Sequence, residues 1–184
     1  MYENWEEVED ACKNCNKCRL CNERKNVVFG IGNKNAKVMF IGEGPGADED
    51  IQGIPFVGKA GQLMNKAFEG IGLKRDDVYI TNIVKCRPPK NRNPERDEAE
   101  SCIEYLEAQI KLVNPDIIVL LGSVALKNIL GIEYGITASR GKWFEKDGIK
   151  ILPTFHPAAL LRDDTKKIYF WQDLKKIRNK KEEI

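Results

Sequence analysis

Four short, almost uninterrupted apolar runs constrain this chain more than any other feature: Lys37–Ile41, Val78–Ile83, Asp116–Leu121 and Ile149–Phe155. The first three lack the alternation of a strand with one wet face. They read as strands buried on both sides, the habit of parallel sheets. Helical stretches separate them. Gly61–Gly70 spaces Leu63, Ala67 and Phe68 along one face, and Pro94–Val113 does the same with Ile103, Leu106 and Ile110. Asn93 is the expected cap of that second helix, with Pro94 in its first turn and Glu95, Asp97 and Glu98 at its positive end. Ser123–Leu130 makes a short helix closed by Gly131, Thr165–Lys180 a basic one, and Trp5–Cys12 a short amphipathic one. Val27–Gly32 is a β-like segment ending in glycine. Parallel strands joined by right-handed helical crossovers are covered on both faces. The expected fold is therefore α/β: a three-layer α/β/α sandwich on a central four-stranded parallel sheet. Residues 1–184 are expected to form a single domain with an amino-terminal cysteine segment.

Open parallel sheets bind ligands beyond the carboxyl ends of their strands. Here each run ends in distinctive residues. The first opens into Gly42-Glu43-Gly44-Pro45-Gly46, with Asp48, Glu49 and Asp50 close behind; the second ends in Thr81-Asn82. The third ends in Gly122-Ser123 and the fourth in His156-Pro157, the chain's one histidine. The glycines bring backbone amides close to a ligand. Yet no Walker lysine follows, and this spacing is not the dinucleotide fingerprint. A flat, neutral ligand gripped by amides fits the acidic loop better than a phosphate. Phe56, held between Pro55 and Val57, would give it a stacking face.

Net charge is only +2, so nucleic-acid binding needs a local basic face. Lys85, Arg87, Lys90, Arg92 and Arg96 are one source, and Arg140, Lys142 and Arg162 another. No apolar run reaches membrane-spanning length, and the acidic start Met1–Asp10 is unlike a signal peptide. A cytoplasmic, nucleoid-associated place is expected, with no membrane partner. Six cysteines in that setting argue for metal or redox chemistry over disulfides. Cys12, Cys15, Cys18 and Cys21 are evenly spaced, like a ferredoxin run without its trailing proline. Zinc would need the same thiolates.

Several segments, in this order, resemble the family-four, thermostable-type uracil-DNA glycosylases, which carry an iron–sulfur cluster. They are Cys15-Asn16-Lys17-Cys18-Arg19-Leu20, the Gly42–Gly46 loop, Pro55–Gly61 and Tyr79–Pro89, then Arg140-Gly141-Lys142-Trp143 and Phe155–Arg162. The resemblance covers nearly the whole chain. It implies a uracil-DNA-glycosylase-like fold and a monofunctional hydrolase of base excision repair. Such an enzyme flips uracil out of single- or double-stranded DNA and leaves an abasic site, and a monomer is expected. By the same resemblance Phe56 stacks on the base, Asn82 reads its edge, and Gly44 lies against it. His156 holds the uracil oxygen nearest the sugar. Glu43 or Glu49 acts on the attacking water, the choice being open because the other well-known class places an aspartate where Gly44 stands. Arg87, Lys90, Arg92 and Arg162 face DNA, with Leu160 as the wedge. The family pattern assigns a 4Fe-4S cluster to Cys15, Cys18, Cys86 and Cys102, leaving Cys12 and Cys21 spare. Spacing alone keeps the four amino-terminal cysteines as a rival set. A non-catalytic iron–sulfur module is the alternative function.

Overall fold

The computed structural model describes every residue from 1 to 184. In chain order it contains α1 (Trp5–Lys13), β1 (Ile31–Gly32), β2 (Val38–Gly42), α2 (Ala47–Gln52), α3 (Lys59–Gly70) and β3 (Tyr79–Asn82). There follow α4 (Arg96–Val113), β4 (Ile117–Leu121), α5 (Ser123–Ile129), α6 (Ile136–Ser139), β5 (Phe144–Lys146), β6 (Ile149–Thr154), α7 (Pro157–Arg162) and α8 (Lys167–Glu183). The strands lie in the order β1-β3-β2-β4-β6-β5.

The four inner strands are the four apolar runs, and they are parallel. The sheet nonetheless has six strands and is mixed, because β1 and β5 pair antiparallel at its edges. Both edges are short, which limits how much unpaired backbone they offer. β5 and β6 form a hairpin through Asp147-Gly148, both at positive φ (52° and 80°). That is the primed-turn chemistry an Asp-Gly pair favours.

Alternate residues of each inner strand enter opposite layers, as the period of two requires. Val38, Phe40, Ile117, Val119 and Leu121 pack with Met64, Phe68, Leu160, Phe170 and Leu174 of α3, α7 and α8. Met39, Ile41, Ile118 and Leu120 pack the other way, on Leu106 and Val113 of α4 and Leu126 of α5. The α/β/α layering is therefore as expected. The start of α4 differs: Glu95 is its cap, and the Glu98 carboxylate accepts the Glu95 N–H at 2.7 Å. This bond is one half of a capping box and fixes the start of the helix at Glu95, so Asn93 and Pro94 lie ahead of it. α8 likewise begins at Lys167, after a tight turn over Asp164–Lys166.

Burial corrects three readings of the sequence. Lys85 belongs to no basic face, because it is only 1% exposed and hydrogen-bonded inside the molecule. Arg140 is committed to the buried carboxylate of Asp173, with Nε at 2.9 Å, and Thr154 Oγ1 shares that acceptor at 2.7 Å. Leu160 is fully buried in the core, so it is not free to enter a duplex. Its neighbour Leu161 is 48% exposed.

Candidate active site and cysteine centre

Register places the site. Gly42 at the end of β2 stands opposite Asn82 at the end of β3, and the loops beyond the inner strands open onto one rim. They enclose a cleft of about 490 Å³ whose lining includes Glu43, Phe56, Asn82, Arg92, His156 and Arg162. Gly42 is required for close approach: a Cβ there would lie 2.5 Å from Asn82 Oδ1 and 2.6 Å from Phe56 Cζ. Gly44 is equally confined, since its Cβ would meet Val84 Cγ2 at 2.7 Å.

Asn82 is 1% exposed, and its Oδ1 is the one buried side-chain polar atom in the chain without a hydrogen-bond partner. Burying an acceptor unpaired costs about 1–3 kcal/mol, so its persistence at a cleft points to a ligand donor.

Phe56 holds a left-handed backbone (φ 54°), which is costly for an aromatic residue, by about 1–3 kcal/mol. The surroundings hold it there. Arg75 donates from Nη1 to the Phe56 carbonyl at 2.8 Å and from Nη2 to that of Pro55 at 2.7 Å. Gly61 in α3 leaves room for the same Phe56 carbonyl, which any Cβ would overlap. The Phe56 ring belongs to the core cluster and also reaches the cleft, 5.4 Å from the His156 ring and inclined to it by 32°. Arg75 is a functional support that sequence reasoning missed; nothing in Lys74-Arg75-Asp76-Asp77 marks it out from a solvated turn.

His156 caps α7, its Nδ1 accepting the Ala158 N–H at 3.1 Å. In the neutral ring the proton is then on Nε2, leaving that atom a donor. Burial first, and then the Arg162 charge, push its pKa down to about 4. The ring is neutral at physiological pH.

The two candidate acids part company here. Glu49 acts as a staple: Oε1 accepts from Gly46 N–H at 3.1 Å, and Oε2 from Val57 and Gly58 N–H at 2.9 and 2.7 Å. It fixes the loop after β2 to the loop carrying Phe56 while also lining the cleft. Glu43 lines the cleft without such a staple, and desolvation raises its pKa against the pull of Arg162. Asp50 is also structural, buried and accepting from the backbone of Lys25 at 2.9 Å and Asn26 at 3.2 Å.

Arg162 is exposed on the cleft's edge. Arg92 reaches the same cleft but is clamped by Glu98 at 2.7 and 3.0 Å, a buried carboxylate whose pKa the pair lowers. Arg87 is bonded to Asn91 at 2.7 Å, and Lys90 is exposed in the turn over residues 89–91.

On the far side of Lys85, all six cysteines line one cavity under α4. Cys15, Cys18, Cys86 and Cys102 are all there, so both cysteine sets drawn from the sequence meet at one place. No three of the thiols close around a single ion. Burial raises the thiol pKa of Cys86 to about 11 and that of Cys12 to about 12. Arg24 works against that rise at Cys86, with Nη1 3.4 Å from the sulfur and 2.7 Å from the Cys15 carbonyl. A crowd of unbridged thiols, buried at Cys12 and Cys86 and half-buried at the other four, fits a metal that would take them as thiolates.

Fold and rim together define an α/β enzyme of the glycosylase kind. The family model of the uracil DNA glycosylase superfamily matches residues 29–175. The chain is 47% identical over 160 residues to the type-4 uracil-DNA glycosylase of Thermotoga maritima, covering 85% of this chain and 82% of that protein. It is 40% identical over 183 residues to the type-4 enzyme of Archaeoglobus fulgidus, covering 95% and 92%. With that of Saccharolobus solfataricus the identity is 44% over 185 residues, covering 96% and 86%. The chain belongs to the uracil-DNA glycosylase superfamily, in its type-4 family.

Proposed function

We propose that this protein removes uracil from DNA by hydrolysing the N-glycosidic bond, leaving an abasic site for base excision repair. The observation that carries the reading is the orphaned Asn82 Oδ1, set beside Phe56 and over Gly42. A uracil swung out of the duplex offers a ring N–H to that oxygen and a carbonyl to the amide nitrogen. Stacking on Phe56 and these two bonds offset the cost of flipping.

Breaking the bond leaves positive charge on the sugar and negative charge on uracil. His156 Nε2–H is the donor suited to the developing oxyanion, and a neutral imidazole stays on the Nε2–H tautomer through the reaction. Glu43 supplies the negative charge near the sugar and orients water. Arg162, Arg87 and Lys90 hold phosphate around the opening, and Leu161 takes the wedge position that Leu160 cannot.

The finer reading of the cysteine centre is a 4Fe-4S cluster on Cys15, Cys18, Cys86 and Cys102. Cys15, Cys18, Cys86 and Cys102 line one cavity and supply the all-cysteine ligand set that such a cluster takes. When bound it supplies a structural cross-link between the amino-terminal segment and the strand-end loop that bears Arg87.

The test is incubation with duplex DNA carrying one uracil, followed by alkali. A break at the uracil position is expected. Intact strands at equimolar enzyme would reject the reading.

A further inference from the structure

We propose that Lys85 is a positioning residue that ties the cysteine centre to the base-reading pocket, its side chain lining the cysteine cavity and its ammonium holding the main chain of Asn82. The proposal rests on the glycosylase reading above.

Three observations carry it. The Lys85 Nζ lies 2.6 Å from Thr81 Oγ1, 2.7 Å from the Asn82 carbonyl and 2.7 Å from Gln109 Oε1. Three acceptors for three N–H groups are the pattern of a charged ammonium, which has no lone pair to offer. All three acceptors are neutral, and the residue makes no ion pair with a carboxylate. Cys12, from α1, and Cys102, from α4, line the same cavity as Lys85.

The side chain thus stands between that cavity and the strand end that carries Asn82. Cys86, the next residue, lines the same cavity.

The other end of the lysine is rigid. Gln109 is pinned through Nε2 to the Phe29 carbonyl at 2.8 Å and to Tyr79 Oη at 3.2 Å. Thr81 Oγ1 donates to the same Phe29 carbonyl at 2.8 Å. Within this cage Lys85 fixes the Asn82 carbonyl, and the position of that peptide sets where Asn82 Oδ1 points. An ordinary core would place an apolar side chain here; the cage shows that the charge itself is accommodated.

By linkage, a base that engages Asn82 should stabilise the cysteine centre as much as the centre favours the base. The experiment follows metal loss from the purified holoprotein to excess chelator, by visible absorbance and metal analysis, with and without saturating free uracil. In the wild type uracil slows the loss several-fold. In K85M, which keeps length and removes charge, uracil has no effect on it. Single-turnover excision falls about 10–100-fold, while DNA affinity stays within about twofold. Should K85M fail to fold, T81V removes one acceptor only and should at least halve the uracil effect. Metal loss that ignores uracil in the wild type overturns the proposal, as does an undiminished uracil effect in K85M or T81V. A wild type that excises uracil yet shows no such effect sinks the tie alone. A wild type that leaves uracil in place sinks the reading beneath it.

Discussion

Replacing Asn82 should separate stability from chemistry. Its Oδ1 is buried and unpaired, a standing cost of about 1–3 kcal/mol. Asn82→Leu has nearly the same volume and removes the orphan. The variant should therefore be more stable by about 1–3 kcal/mol, at roughly 2–4 °C of Tm per kcal/mol for a chain this size. Uracil excision should fall on the order of ten-thousand-fold, the scale for a site built to hydrogen-bond its substrate. Asn82→Asp tests the same geometry differently. Cytosine presents an amino donor where uracil has a carbonyl, and an aspartate can accept from it. That variant should lose most uracil excision and gain weak activity on cytosine, greatest in mismatches, where flipping costs least. Calorimetry and single-turnover assays on uracil and cytosine substrates decide the matter. An Asn82→Leu protein less stable than wild type, or Asn82→Asp with full uracil excision, would refute the reasoning.

His156→Ala should slow the chemical step by roughly a hundred- to a thousand-fold while changing DNA affinity little, as rapid-quench kinetics would show. Because burial holds His156 near 4, against about 6.5 in the unfolded chain, its stabilising contribution is complete above pH 6.5 and is lost as pH falls toward 4. His156→Gln should flatten that part of the Tm-against-pH curve. Leu161→Ala should impair duplex substrates more than single strands, whereas Leu160→Ala should cost about 2–5 kcal/mol of stability; equal losses on both substrates for Leu161→Ala would remove its wedge role. The purified protein should be brown, with about four irons per chain. Cys86→Ala and Cys102→Ala should bleach it, and Cys12→Ala and Cys21→Ala should not, by metal analysis. Arg162→Ala should weaken binding to any sequence and flatten the logarithmic salt dependence by roughly one, in titrations at several ionic strengths.

What was legible in the sequence was what local pattern decides. The four inner strands announced themselves as apolar runs, and the glycines, Asn82 and His156 lie where strand ends put them. β5 was missed although Asp147-Gly148 is a hairpin signal, because Phe144–Lys146 is too short and too wet to show alternation. Other errors came from partners distant in sequence. Nothing near Arg140 reveals Asp173, and nothing near Lys85 reveals Gln109, so both looked like surface charges. Leu160 and Leu161 are identical in type, and only the docking of α7 on α3 decides which one is buried. Glu49 and Glu43 likewise differ only through amides contributed by residues 46, 57 and 58.

The fit between Gly44 and Val84 bears on how such loops change over generations. A Cβ at position 44 would stand 2.7 Å from Val84 Cγ2, and a β-branched side chain has few rotamers with which to move aside. An aspartate at 44, as the other well-known class of uracil glycosylases has it, therefore requires Val84 to give way. A side chain at 44 alone should cost stability, and a smaller residue at 84 should restore it, so the two positions are coupled through a single methyl group.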